Sequence, residues 1–472
     1  MKSLTDKRLT GCILTLLIAL FSVSASGQQT KQSEIKNDTS WVDTVITYWP
    51  NDTIKFMGTV LMPDSIKEGL WTGYYRNGVK IIEGKYHQDQ KTGNWKSWNI
   101  KGKLLEDINY ENGPWREYYA NGEPSALGQV KDSMKEGEWE FYDYNGQIRE
   151  RVSFVDGTRE GYNIKWYGNG QKAFEGSYDE GKLHGYCTWW FDNGNVEMKG
   201  KNLHGLQDSI WTFYHENGEL ASKGDFVNGK PHGEWRYWYD SGKILRKGKW
   251  EHGKKAGLWT NWYENGQKLQ EGRFENGVEE GEWTAWWENG QVKDKGLFKE
   301  GMMHGQWEGF LPDGTPDYVA HYKNDQKHGL WTTFFSGGKK QSETMMKKGE
   351  KHGESIDYYP SGGIEQKGKY KRGEKDGEWE FFAGYGALIK RQHFEQSKPE
   401  GDFEEYFPGG QLKVKGQYKN FFKHGDWEYY DERGNLIRKM EYKKGKIISS
   451  STENNSNSKR KKNKKKSPGS GF

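Results

Sequence analysis

The chain has 472 residues, with 71 lysines and arginines against 67 aspartates and glutamates, and a net charge of +4. Its 63 glycines disfavour a helical fold, because each glycine in a helix interior costs about 1 kcal/mol. Two cysteines are too few for a disulfide framework, and beyond the amino terminus no apolar run approaches the roughly 20 residues that a transmembrane helix needs.

Residues 1–25 have the pattern of a secretory signal peptide. Basic residues, the last of them Arg8, precede an apolar segment at residues 13–23, and the small residues Ser24 and Ala25 follow. We therefore expect an exported protein that resides in the periplasm, at the cell surface or outside the cell. After cleavage only Cys187 remains, so the mature chain has no intramolecular disulfide.

Residues 26–68 form the next segment, and they lack the repeat that fills most of the chain. Residues 41–49 and 54–57 alternate enough to predict two strands, with Pro50 and Pro63 as punctuation. A repeat array needs an atypical end that covers its exposed sheet edge. We interpret residues 26–68 as an N-terminal cap.

A unit of 24 residues recurs sixteen times in residues 69–448, with one copy shortened to 20 residues. With Gly257 as position 1, position 3 is tryptophan in twelve copies, position 6 is aromatic in all sixteen and position 10 is glycine in all sixteen. Such a period indicates a repeat array, and it leaves no room for an inserted catalytic domain.

Aromatic residues on both sides of the position-10 glycine predict a β-hairpin in every unit. Lys101, Tyr385 and Arg433 precede this glycine in three copies, and such residues resist positive φ. A three-residue loop in which only the glycine is left-handed therefore fits best, and it places position 6 opposite position 12. Positions 3 and 6 then project from opposite faces. The predicted fold is all-β: an elongated array of antiparallel hairpins in an extended, twisted sheet.

The motif from Gly257 to Gly266, with Trp259, Trp262 and Tyr263 inside it, resembles the bacterial variant of the MORN repeat. That family includes proteins described as YwqK-type antitoxins. The resemblance covers about four fifths of the chain, and it implies a scaffold of β-hairpins without enzymatic activity. It also implies a protein partner, with an antitoxin-like or immunity-like role as the family association. We expect the chain to be a monomer.

The tryptophan column could serve as a binding surface in two ways. A protein partner would bind through a few aromatic hot spots. Alternatively, aromatic faces about 10 Å apart could stack on successive sugars of an envelope polymer. The candidate binding residues are Trp235, Trp259, Trp283, Trp307 and Trp331.

A metal site or any other cofactor is not expected. Six histidines occupy position 24, but equivalent positions lie roughly 9–10 Å apart because two strands of about 4.7–4.9 Å each separate them. No cysteine or carboxylate completes a zinc ligand set beside them, and Cys187 is best explained as a small buried hydrophobe. The column consists of His184, His232, His304, His328, His352 and His424.

Residues 449–472 are predicted to form a disordered tail, because a polar linker is followed by a dense run of basic residues. Residues 26–448 carry a net charge of about −4, so the array is a poor candidate for binding nucleic acid. The tail instead suits an anionic envelope surface. Its cations are Lys459, Arg460, Lys461, Lys462, Lys464, Lys465 and Lys466.

Removal of residues 459–472 should abolish salt-sensitive association with anionic vesicles. Each lysine or arginine near such a surface contributes about 1 kcal/mol, and the attraction fades within a Debye length. Co-sedimentation with vesicles at low and high salt measures this, and circular dichroism checks that the fold is retained. Salt-insensitive binding that survives the truncation would place the interaction on the repeats.

Overall fold

The computed structural model describes residues 31–32 and 41–452, and all of its regular structure is β-strand. The predicted signal peptide and the basic run at residues 459–466 lie outside the described residues. The chain divides into two compact units, residues 1–206 and residues 207–472. In both units the strands pair antiparallel with their neighbours in the sequence, as the prediction of hairpin repeats requires.

The first unit contains fifteen strands, which we number in chain order. They are β1 (Lys31–Gln32), β2 (Trp41–Tyr48), β3 (Ile54–Met62), β4 (Ile66–Tyr74), β5 (Lys80–His87), β6 (Gln90–Trp98), β7 (Leu104–Asn109), β8 (Gly113–Tyr118), β9 (Pro124–Lys131), β10 (Met134–Tyr142), β11 (Ile148–Val155), β12 (Thr158–Trp166), β13 (Lys172–Asp179), β14 (Lys182–Trp190) and β15 (Val196–Leu203).

The second unit contains the remaining strands, of which the first begins at the unit boundary. They are β16 (Leu206–Tyr214), β17 (Leu220–Val227), β18 (Lys230–Trp238), β19 (Ile244–Glu251), β20 (Lys254–Trp262), β21 (Lys268–Glu275), β22 (Val278–Trp286), β23 (Val292–Lys299), β24 (Met302–Phe310), β25 (Pro316–Lys323), β26 (Gln326–Phe334), β27 (Lys340–Lys347), β28 (Glu350–Tyr358), β29 (Ile364–Lys371), β30 (Glu374–Phe382), β31 (Leu388–Glu395), β32 (Lys398–Tyr406), β33 (Leu412–Lys419), β34 (Phe422–Tyr430), β35 (Leu436–Lys443) and β36 (Lys446–Thr452).

The ends of the array differ slightly from the prediction. The strands expected in the N-terminal segment are present as β2 and β3, which pair with each other, and β3 also pairs with the first repeat through β4. At the other end, β36 continues through Thr452, four residues beyond the predicted end of the array at residue 448. The polar residues that follow Ile448 therefore begin as a strand.

The turn inside each repeat has the predicted three-residue loop. In the repeat that starts at Gly257, the Tyr263 amide donates to the Gln267 carbonyl and the Gly266 amide donates to the Tyr263 carbonyl, both at 2.9 Å. Gly266 has a φ of +91°, and Trp262 lies opposite Lys268. Only the glycine of this loop is left-handed, so residues such as Arg433 are tolerated before it.

The turn between repeats is of a second kind, which the sequence analysis did not identify. Asn276 and Gly277 have φ values of +51° and +93°, and they connect Glu275 directly to Val278. Two left-handed residues in a two-residue loop define a type I′ turn. The Gly277 amide donates to the carbonyl of Lys255 at 3.0 Å, which attaches this turn to the preceding repeat.

The core of each unit depends on a tryptophan that lies flat over a glycine of the neighbouring strand. A Cβ atom added to Gly272 would lie 2.1 Å from the indole ring of Trp283, so no larger residue fits there with the ring in place. The strand register shifts between Gly272 and Arg273, where Gly281 forms a left-handed bulge with a φ of +74°. The Trp283 indole Nε1–H then donates to the Arg273 carbonyl at 3.2 Å.

At least nine of the described repeats share this glycine, tryptophan and carbonyl arrangement. In each, a Cβ on the glycine would meet the ring at 2.3 Å or less, and the indole donates to the backbone ten or twelve residues earlier. The tryptophans are Trp71, Trp95, Trp139, Trp235, Trp259, Trp283, Trp307, Trp379 and Trp427.

The aromatic residue at position 18 joins successive tryptophans. Phe274 contacts Trp259 and Trp283 edge-on, with ring centroids 6.2 and 5.2 Å apart. Phe298 continues the same pattern between Trp283 and Trp307 at 5.5 and 5.2 Å. Such pairs contribute about 0.5–1.5 kcal/mol each beyond their buried area. The core is therefore a ladder of aromatic rings along the sheet.

Three repeats without tryptophan at position 3 also lack the glycine on the facing strand, and other pairs of side chains occupy the two positions. Thr344 lies opposite Ser355, with their hydroxyl oxygens 2.8 Å apart. Val152 lies opposite the fully buried Asn163. The third pair is Gln392 with Phe403. Position 3 therefore accepts several facing residues besides the glycine under a tryptophan, as Trp331 opposite Ala320 also shows.

The substitutions Gly272→Thr and Trp283→Ser should each destabilise the protein, whereas the double variant should lose less than their sum. Overpacking typically costs about 1–3 kcal/mol and removal of a buried tryptophan about 3–5 kcal/mol. The combination recreates the Thr344 and Ser355 pair, so we expect a favourable coupling of about 0.5–3 kcal/mol.

Denaturant unfolding of the four proteins in this cycle measures the coupling. Gly272→Thr combined with Trp379→Ser, in a repeat that shares no contact with Gly272, is the matched control and should show additive losses. Equal coupling in both cycles would show that the coupling does not come from the direct contact between positions 272 and 283.

Candidate binding surface

Each repeat presents two faces with different chemistry. The aromatic face carries positions 3, 5, 18 and 23, as shown by the stacking of Trp235 on Tyr237 and by the contacts of Trp235 with Phe226. The charged face carries positions 2, 4, 6, 15 and 17. The aromatic residue of position 6 lies on that second face, as predicted, where Tyr142 bonds to the position-4 side chain of Glu140.

The five candidate tryptophans all belong to the aromatic face, where their rings are covered. Trp235, Trp259, Trp283 and Trp307 are only 3%, 4%, 6% and 6% exposed. Trp331 is partly buried, and the ammonium of a lysine lies 3.0 Å from its ring centroid. The four buried rings have almost no open surface on which a ligand could stack. The faces of the four buried rings pack against glycine, aromatic rings and lysine, so their exposure does not support the prediction that they form the binding surface.

Lysines at position 23 close the aromatic face. Their ammonium groups lie 3.0–4.9 Å from the centroids of the tryptophan rings four residues later, within the range of a cation–π interaction. Burial lowers the pKa of each of these amines, since desolvation disfavours the charged form. The five are Lys91, Lys135, Lys255, Lys327 and Lys375.

The charged face is held by ion pairs between positions 4 and 15. Arg151 donates to Glu140 at 2.7 Å, and Tyr142 donates to the same carboxylate at 2.5 Å. The Tyr142 hydrogen bond and the Arg151 pair lower the pKa of Glu140, whereas burial and this hydrogen bond raise the pKa of Tyr142 to about 12. These ion pairs lie beside the position-6 rings and hold charged groups over that face of the sheet.

The same arrangement recurs near the end of the second unit. Glu428 accepts a hydrogen bond from Lys415 at 2.8 Å and another from Tyr430, and Lys439 lies 3.6 Å from its second oxygen. The bond from Lys415, followed by that from Tyr430, lowers the pKa of Glu428 to about 2. The ionised carboxylate is therefore a stabilising member of the folded charged face.

Position 2 is exposed in fifteen of the sixteen repeats, and we call these exposed residues the variable row. The tryptophan position follows directly in the chain and is buried in most copies, so neighbouring residues have opposite environments. The row consists of Leu70, Asn94, Glu138, Tyr162, Tyr186, Ile210, Glu234, Leu258, Glu282, Gln306, Leu330, Glu354, Glu378, Asp402 and Asp426.

The variable row exposes large side chains in both units. In the first unit Tyr186 is 80% exposed and Tyr162 is 50% exposed. In the second unit Leu330 lies opposite Met345 of position 17, and the two are 41% and 39% exposed. The sequence did not lead to a prediction of this row, because position 2 carries no residue type that recurs in most repeats. The signal that could have found the row is its variability: position 2 differs between repeats, whereas the neighbouring position 3 is tryptophan in most of them.

The structure also places three potential metal ligands together. Among the described residues, the ligand atoms of Asp179, His184 and His204 lie within 4.8 Å of one another. From the spacing of histidines at equivalent positions, no carboxylate was expected beside them. That expectation is corrected, because positions 19 and 24 meet position 20 of the next repeat. Cys187, by contrast, is buried as predicted, and burial raises the pKa of its thiol.

A model of one protein family matches ten segments of this chain, most of them single repeats. The matched repeats belong to the MORN repeat variant family. The matched segments are residues 67–88, 111–132, 135–156, 207–228, 231–252, 255–276, 279–300, 351–372, 399–420 and 423–444.

Beyond the MORN repeat variant match, no curated protein matches the chain. Solved structures with similarity include TcdB2–TccC3 without its hypervariable C-terminal region, at 10% identity over 90% of this chain and 27% of that chain, with a TM-score of 0.13. A Tc holotoxin pore from Photorhabdus luminescens matches at 12% identity over 86% and 28%, with a TM-score of 0.14. The chain thus spans less than a third of either structure, and such low scores carry no argument. Within the described residues, no helix has the length and apolarity to cross a membrane.

Glu428→Gln should reduce stability at neutral pH by about 0.2–1 kcal/mol, the range for exposed ion pairs. The folded pKa of Glu428 is depressed to about 2 from 4.5, so its contribution is present above about pH 4.5 and is lost as the pH falls towards 2. The difference between variant and wild type should vanish over that window. Denaturant unfolding at several pH values measures it.

Glu432→Gln, in the exposed turn of the same hairpin, is the matched control and should change stability little at any pH. A difference for Glu428→Gln that persists undiminished at pH 2 would show that the ion pair is not its cause.

Proposed function

We propose that the chain is a non-catalytic repeat scaffold that binds a protein partner through its variable row. The single observation that supports this most strongly is the contrast between positions 2 and 3. Position 3 is a buried and regular part of the core, whereas position 2 is exposed and differs from repeat to repeat. A scaffold that recognises one partner needs both kinds of position. The positions that recur in every repeat hold the sheet together, and the exposed positions that vary between repeats provide binding specificity.

The apolar members of the row are the best candidates for hot spots. Tyr186 is the most exposed of the large hydrophobic residues, and Leu330 with Met345 forms a pair of exposed apolar side chains on adjacent strands. Tyrosine is enriched among residues that dominate binding energy, since it buries a large area with little loss of conformational entropy.

The acidic end of the row is less suited to a partner. Asp426 is already paired with Lys439 at 2.7 Å, and Glu378 lies 3.5 Å from Arg391. A partner would have to replace these contacts, which adds a desolvation cost without a compensating apolar contact. We therefore place the main contact on the apolar part of the row.

The cellular setting is also part of the proposal. The signal-like residues 1–25 support export, and the basic run at residues 459–466 supports attachment to an anionic envelope surface. The resemblance to antitoxin-type MORN variants supports an immunity-like role, in which the scaffold would neutralise a protein in the envelope. We propose that it acts as a monomer.

A carbohydrate partner is the alternative, and one observation favours it. Tyr162 and Tyr186 occupy the same position in adjacent repeats of the first unit, two strands or roughly 9–10 Å apart. Two exposed rings at that spacing could stack on alternate sugars of a polymer. This surface differs from the tryptophan column, whose rings are covered.

Site-specific photo-crosslinking distinguishes these functions. A photoreactive residue at position 186 or 330 of the full chain should give a discrete adduct with one protein from the native envelope, identified by mass spectrometry. Competition with excess unlabelled protein should remove the adduct. Ser241, in an exposed turn of the second unit, is the matched control site and should give none.

The opposite pattern would overturn the proposal. Adducts from Ser241 alone, or none from the row, would exclude the row as the contact surface. Binding to a soluble glycan that strengthens with polymer length and falls with Tyr186→Ala would support the carbohydrate alternative.

A further inference from the structure

Asp179, His184 and His204 converge on one point of the first unit from three chain segments. Asp179 ends β13, His184 lies in β14, and His204 is the first residue of the turn after β15. The Nδ1 atom of His184 lies 3.7 Å from Oδ2 of Asp179, and the two imidazole rings are 5.2 Å apart between centroids.

His184 has an unsatisfied nitrogen at this point. Its Nδ1 atom is buried and has no hydrogen-bond partner among the described residues. In the preceding repeat the equivalent residue is Glu160, whose carboxylate accepts the backbone amide of Glu180 in the corresponding turn at 3.0 Å. The side chain at position 24 can therefore cap the turn. In His184 the capping carboxylate is replaced by an imidazole, whose Nδ1 atom faces Asp179 and His204.

We propose that Asp179, His184 and His204 bind a transition metal ion of the Zn²⁺ class, with a fourth position left to water or to an outside ligand. Two imidazoles and a carboxylate suit Zn²⁺, Cu²⁺ and Ni²⁺ better than Mg²⁺ or Ca²⁺. Bonds of about 2.0–2.1 Å in a tetrahedron place ligand atoms about 3.4 Å apart. The three ligand atoms lie within 4.8 Å of one another, so side-chain rotation of about 1–1.5 Å closes the set.

The second unit contains a natural comparison for this site. His232 and His252 repeat the same two positions with ring centroids 5.6 Å apart, and Nδ1 of His232 is again buried without a hydrogen-bond partner. The residue equivalent to Asp179 is Val227, which offers no ligand atom. This pair has two ligands where the first unit has three, and it should bind the metal far more weakly.

Titration of the full chain, prepared without a polyhistidine tag, with Zn²⁺ in a calorimeter tests the proposal. The wild type should bind one ion tightly, and Co²⁺ should give the visible absorption of a tetrahedral site. Asp179→Asn and His204→Asn should each weaken binding by at least about tenfold. Asparagine tolerates the left-handed conformation of residue 204, whose φ is +48°, so the turn is retained.

Two variants in the second unit provide the controls. His252→Asn should leave the tight site unchanged, and Val227→Asp should raise the number of tightly bound ions from one to two. Thermal unfolding followed by circular dichroism confirms that each variant is folded. Unchanged affinity in folded Asp179→Asn, or equal weakening by His204→Asn and His252→Asn, would overturn the proposal and indicate non-specific binding to surface histidines.

Discussion

The structure of each unit depends on one contact, in which an indole ring lies flat on a glycine Cα of the adjacent strand. At Gly272 a single added carbon would lie 2.1 Å from Trp283, so the absence of a side chain creates the space that the ring fills. The bulge at Gly281 interrupts the ladder beside it, and the indole N–H satisfies the Arg273 carbonyl instead. Two glycines and one tryptophan are thus needed together, because a buried carbonyl or indole N–H without a partner costs about 1–3 kcal/mol.

The relative sizes of the interactions explain why the two faces have different roles. Edge-on contacts such as Phe274 with Trp283 contribute about 0.5–1.5 kcal/mol each and recur along both units. Exposed ion pairs such as Arg151 with Glu140 contribute about 0–1 kcal/mol each. Cohesion therefore comes mainly from the aromatic face, and residues there are constrained by packing. The charged face tolerates substitution at position 2, which leaves that row free to acquire binding specificity.

The polar turns can differ from one repeat to the next while the backbone stays the same. Because each repeat contacts only its neighbours, a change at one turn has local effects and does not propagate through the array. Glu160 caps a turn amide, whereas His184 in the next repeat leaves its nitrogen free beside Asp179 and His204. The same backbone can therefore support a structural cap in one repeat and a ligand set in another. His232 and His252 have the same arrangement of two imidazole rings but no carboxylate equivalent to Asp179. Few substitutions therefore separate a repeat with a turn cap from a repeat with a set of metal ligands.

The all-β hairpin repeats, the loop around Gly266 and the opposite directions of positions 3 and 6 could all be predicted from the residues of the repeat. These features follow from local rules, because positive φ selects glycine and side chains alternate along a strand. The left-handed bulge at Gly281 was not predicted, since it depends on pairing between strands. The type I′ turn was also not predicted, although Asn276 and Gly277 are a local signal for it. Alternation assigned the tryptophans to a face, but only the tertiary structure decided that their rings are covered, because the covering atoms come from adjacent strands. The same reason applies to His184 and His204, which stand 20 residues apart in the chain and meet only when one repeat stacks on the next.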